Sequence, residues 1–154
     1  MSERVRAGLG AAVRALLVFS GIAPFLPRAL EGLTGLDAFG RLLDVWFSFQ
    51  CHRDEARSLV MSAVCTRCLG VYVGLALGAL ALRPKLEPKK HLAWVAISAV
   101  VLVADVLTEA FGWRPAWAPL RFTTGFALAY PVGVSIVTAF APARAASSLS
   151  ARAP

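Results

Sequence analysis

The sequence predicts an all-α integral membrane protein with four transmembrane helices plus one amphipathic helix between the first and second. Three observations carry that expectation. Hydrophobic residues make up 58% of the 154-residue chain, and the mean hydropathy is +0.66, more apolar surface than a soluble domain of this size buries. Those residues fall into four runs close to the roughly 20 residues that a helix needs to cross the hydrocarbon core. The charges lie between and at the ends of the runs, with no basic stripe interleaved with aromatics. The net charge of +7 therefore reads as membrane topology, with the lipid bilayer as partner and no nucleic acid.

The first run is Leu9 to Leu26, with Arg14 near enough to its start to snorkel to the headgroups. Arg4 and Arg6 ahead of it also fit a signal peptide, but no good small-x-small cleavage site precedes Pro24 and Pro27. A retained anchor is the expectation. An amphipathic helix is predicted over 36–50. Leu36, Phe39, Leu43, Trp46, Phe47 and Gln50 fall on one face of it, and Asp37, Arg41, Asp44 and Ser48 on the other. Asp37 and Arg41 form an i,i+4 pair, and the aromatic face suits the membrane interface or packing on the bundle.

The second run, Val64 to Leu82, opens with Cys65, Arg67 and Cys68 and carries Gly70, Gly74 and Gly78, a stripe that lets another helix approach closely. The third, Leu92 to Phe111, is apolar until Asp105 and Glu109. The fourth, Phe122 to Phe140, follows Arg121 and contains Pro131, which predicts a kink whose freed carbonyl a neighbouring helix satisfies. Residues 1–142 read as a single membrane domain, and the Ala/Ser-rich stretch 143–154 as a disordered tail.

Orientation follows from the side on which Lys and Arg collect. Arg4, Arg6, Arg14, Arg83, Lys85, Lys89, Lys90, Arg144 and Arg152 fall on one side. Arg28, Arg41, Arg53, Arg57, Arg114 and Arg121 fall on the other. The first set is larger, which places both termini in the cytoplasm and the chain in a bacterial-type inner membrane as a multi-pass protein. Antiparallel helices then bring Cys65, Arg67 and Cys68, Asp105 and Glu109, and Arg121, Thr123 and Thr124 to one level. The segment carrying Cys51, His52, Arg53, Asp54, Glu55 and Arg57 lies just outside it.

The strongest chemical signal is in the cysteines. Cys51, His52, Cys65 and Cys68 supply three thiolates and an imidazole, a normal set for a closed tetrahedral zinc site. The adjacent Cys51 and His52 are less typical than the C-x-x-C half. If His52 points elsewhere, water or Asp105 can take the fourth position and the metal can be catalytic, with Asp105, Arg67 and Arg121 as candidate catalytic residues. A second reading needs no metal. A C-x-x-C pair at a helix N-terminus beside Arg67 suits thiol-disulfide exchange. That arrangement resembles the quinone-linked disulfide-generating membrane enzymes, although those use a second cysteine pair and here only Cys51 remains. The cysteines can also be small packing residues. A small transporter or partner subunit, with Asp105 and the arginines lining a path to a membrane substrate, fits less well, because a path needs polar groups through the midplane.

The run Cys51-His52, Arg57-Ser58, then Cys65-Thr66-Arg67-Cys68-x-Gly70-Val71-Tyr72-x-Gly74, resembles a family of small uncharacterised bacterial membrane proteins classed as a domain of unknown function. The likeness continues through Asp105-x-x-Thr108 and Arg121-x-x-Thr124-Gly125, covering about residues 42–130. The chain departs from the pattern at Glu109, where that family more often carries an amide. The resemblance implies a common polar site of Cys51, His52, Cys65, Arg67, Cys68, Asp105 and Arg121, and brings no established activity.

Overall fold

In the computed structural model the described residues are 3–50, 61–81 and 88–140, and every regular element among them is helical. Helix α1 (Glu3–Ile22) passes through a 3-10 turn (Ala23–Phe25) into the short α2 (Leu26–Ala29). There follow α3 (Asp37–Gln50), α4 (Thr66–Leu80), α5 (Pro88–Ala110) and α6 (Ala118–Ala139).

The centre of the bundle is the pair α4 and α6, and small residues on both sides bring their backbones together. A Cβ on Gly70 or Gly78 would run into the main-chain oxygens of Phe122 and Tyr130, and one on Gly74 would sit 2.9 Å from the oxygen of Phe126. Facing them, Gly125 and Gly133 press against the main chain of Arg67 and Leu75, with Ala129 between. Rising numbers on α4 meet rising numbers on α6, so the two helices run parallel. Without a hydrophobic force between helices in lipid, backbone approach of this kind supplies the packing energy. α1 runs antiparallel on the far side of α4, with Gly21 against Ala76. α5 runs antiparallel to α6, from His91, whose Nε2 lies 2.5 Å from Ser135 Oγ, to Asp105 beside Thr124.

α6 runs unbroken through the buried Pro131. Proline has no N–H, so the carbonyl of Ala127 loses its helical donor. The indole Nε1 of Trp94 on α5 donates to that carbonyl at 3.1 Å, an interhelical replacement where no water is at hand.

Three of the helices, Arg4–Ala29, Pro88–Ala110 and Ala118–Ala139, are long and apolar enough to cross a membrane. The second predicted run, Val64 to Leu82, shortens to the 15 residues of α4, about 22 Å of helix. Its ends are pulled out of the helix for definable reasons. Val64 is fully buried in a core with Ala23, Phe47 and Leu69, in an irregular segment held by Ala63 N–H donating to Pro24 O at 2.8 Å. Cys65 then has an extended backbone, and Ala81 leaves helical geometry at ψ 119°. The first run is longer than expected, because the residues around Arg4 and Arg6 continue the helix and Pro24 is absorbed by the 3-10 turn.

α3 begins and ends within a residue of expectation, but its apolar face divides. Gly40, Leu43 and Phe47 turn inward, and Phe47 meets Tyr72 edge-on with ring centroids 5.7 Å apart. Leu36 lies outside the helix, and Phe39, Leu42, Val45, Trp46 and Phe49 stay exposed. The apolar arc is wider than the bundle can cover, so a flank remains for the surroundings. The tail 143–154 lies outside the described residues.

Candidate functional site

Site geometry begins with how α5 ends. Gly112 takes φ +70°, the left-handed conformation favourable to glycine. Trp113 N–H donates to Thr108 O at 2.9 Å and Gly112 N–H to Glu109 O at 3.0 Å, the paired bonds of a Schellman cap. The chain therefore reverses, and Arg114 reaches back along α5. Its Nη2 donates to Asp105 O at 3.0 Å and pairs with Asp105 Oδ1, while Nε donates to Thr108 Oγ1 at 3.2 Å.

Asp105 is a hub. Arg67 of α4 donates to its Oδ2 from Nε at 3.1 Å and from Nη2 at 2.6 Å, and Thr124 of α6 donates to the same oxygen at 3.2 Å. One turn later Glu109 accepts from Arg67 Nη2 at 3.1 Å and from Arg121 Nε at 2.7 Å, with Arg121 Nη2 on its second oxygen. The side chains of Asp105, Arg121 and Glu109 are 2%, 3% and 9% exposed. Charges this buried persist only when paired and hydrogen-bonded. Three guanidiniums and two carboxylates from α4, α5, α6 and the α5–α6 turn thus clamp one end of the bundle.

Cys65 and Cys68 stand at the same end. Cys65 is the N-cap of α4, and Cys68 is one turn on, packed against the core around Val64 and Leu69. Both are half-buried and are not bridged to each other. Between them the hydroxyl of Thr66 is buried with no hydrogen-bond partner among the described residues. Arg67 points away into the charged cluster, so the C-x-R-C segment joins the thiols to the clamp through one helical turn.

Of the residues singled out by sequence, Arg67, Asp105, Glu109, Arg121 and Thr124 come together. Thr123 is turned out, its hydroxyl donating to Leu120 O at 3.0 Å. Cys51 and His52 lie outside the described residues, and among the described residues no group of three His, Cys, Asp or Glu side chains is placed to hold a metal. Sequence reasoning passed over Arg114, counting it only as a loop charge. The signal for it was Gly112 directly after the helix, since a C′ glycine announces a chain reversal.

Long apolar helices, glycine-mediated backbone packing and a paired charge cluster at one end define a helical membrane protein. The chain belongs to the family described as "Predicted membrane protein (DUF2085)", whose model matches residues 51–135. It is also 34% identical over 106 residues to the uncharacterized protein MJ1492 of Methanocaldococcus jannaschii. That alignment covers 61% of this chain, and this chain spans 65% of that relative's length. No solved structure matches.

Proposed function

We propose that this chain is a four-pass protein of a bacterial-type inner membrane, with both termini cytoplasmic and a zinc site of Cys51, His52, Cys65 and Cys68 at its outer end. The carrying observation is the placement of Cys65 and Cys68 on the first turn of α4, beside the Arg67–Asp105–Arg121 clamp. These two supply half of a closed donor set. The other half leaves from α3 four residues after Phe47, which is packed on Tyr72 one turn below Cys68. The reading requires the segment that carries Cys51 and His52 to reach the two thiols. Zinc bound by such a set is a structural staple, and here it would tie residues 51–60 to the start of α4. Asp105, Arg67 and Arg121 are the residues through which any chemistry on a membrane substrate would run.

The fourth pass is supported by connectivity. α1 carries the chain to the charged end, α5 begins at the opposite end, and α4 lies between them in the chain, parallel to α6. At about 22 Å it is short for a core of about 30 Å. It is flanked by α1 and α6, with Leu77 and Leu80 of its last turn left exposed.

Metal analysis of the detergent-purified full chain, combined with thiol trapping, tests the site. The expected result is near-stoichiometric zinc that is lost in Cys65→Ser and in Cys68→Ser. Absence of metal together with a Cys65–Cys68 disulfide reducible by quinol would instead favour the oxidoreductase reading, and metal-free inert thiols would sink both.

A further inference from the structure

At the end of the bundle away from the cysteines, α1 and the last turns of α4 and α6 enclose an apolar groove of about 860 Å³. Its α1 wall is a helical stripe through Ala7, Arg14, Val18 and Ile22, closed opposite by Leu80 and Val137. From Ala7 to Ile22 the groove runs about 22 Å along the helix, longer than the roughly 15 Å depth of one leaflet of the hydrocarbon core. Gly10 is level with the end of α6, where its Cβ would meet Phe140 O at 3.0 Å. Arg14 therefore enters the groove about 6 Å inside that end.

Among the described residues, Arg14 is the one charged side chain in this apolar lining. It is half-buried and makes no ion pair among the described residues, whereas nearby Arg6 is engaged with Ala139 O at 3.1 Å. Residues 141–154 contain no Asp or Glu, and residues 82–87 carry one acid, Glu87, together with Arg83 and Lys85. A guanidinium at headgroup depth above a hydrocarbon-lined slot matches a phosphate joined to an acyl chain, and guanidinium–phosphate pairing is bidentate and charge-assisted. We propose that the groove binds one anionic phospholipid, its phosphate on Arg14 and one acyl chain along Val18 and Ile22, in the leaflet on the side of the termini.

Native mass spectrometry of the full chain, exchanged between detergent and defined phosphatidylglycerol or phosphatidylcholine, tests this. One phosphatidylglycerol should be retained about tenfold more than phosphatidylcholine, a difference in keeping with one charge-assisted pair. Arg14→Lys should keep the preference, Arg14→Gln should abolish it, and Ala11→Trp, which fills the groove, should lower retention of both lipids. The thermal midpoint of each variant confirms folding. Equal retention of the two lipids, retention of neither, or an unchanged preference in Arg14→Gln overturns the proposal.

Discussion

At the scale of the residue, Asp105 and Asp37 make opposite predictions from the same chemistry. Asp105 is buried and holds Arg67, Arg114 and Thr124, so Asp105→Asn takes the carboxylate from Arg114 and leaves Arg67 with Glu109 alone. Removing one partner of a buried pair costs about 3–5 kcal/mol. Asp37 pairs with Arg41 at 3.4 Å with side chains 45% and 75% exposed, and such a surface pair contributes about 0–1 kcal/mol. Unfolding in mixed micelles should therefore show a large loss for Asp105→Asn and little for Asp37→Asn; similar losses would mean that the cluster is not the clamp described. Much of this cluster was legible in the chain. Asp105 and Glu109 are one turn apart, and an antiparallel arrangement leaves Arg67 and Arg121 as their partners at that level. Arg114 was not read, because its place depends on the reversal at Gly112, a three-dimensional consequence of one dihedral angle.

At the scale of the element, the α4–α6 contact decides whether the bundle closes. Gly70 has no room for a Cβ against the Phe122 carbonyl, while Gly8 has nothing within 4 Å. Gly70→Ala should separate the two helices and destabilise by about 1–3 kcal/mol, the usual range for overpacking. Gly8→Ala should be neutral or stabilising by up to about 1 kcal/mol through helix propensity alone. Comparing the two variants in the same unfolding assay separates packing from propensity; equal effects would contradict close approach at the stripe. The glycine spacing is visible in the sequence, but its partner is not, since Gly125, Ala129 and Gly133 on α6 form the matching surface only when the helices run parallel. The length of α4 was overread for a related reason. Val64 is as apolar as a lipid-facing residue, yet it is buried in a core with Phe47 and Leu69. Hydrophobicity alone does not distinguish lipid from protein interior. The division of the α3 face has the same origin, because apolar residues span a wider arc than the contact with the bundle.

At the scale of the whole molecule, the directions of the helices gather Cys65, Cys68, Arg67, Asp105, Glu109, Arg114 and Arg121 at one end and leave the groove with Arg14 at the other. A staple tying residues 51–60 to the start of α4 would couple metal content to stability. Zinc removal by chelation should lower the thermal midpoint of the wild type and leave that of Cys65→Ser unchanged; an unchanged wild type would separate any bound metal from the fold. The arrangement as a whole depends on α4 carrying the chain from the charged end back to the other. Paired alkaline phosphatase fusions after Arg57 and after Lys90 test that most directly. Four passes with cytoplasmic termini predict activity after Arg57 and none after Lys90. The reverse pattern would invert the protein in the membrane, and equal activity at both positions would contradict the crossing of α4 itself.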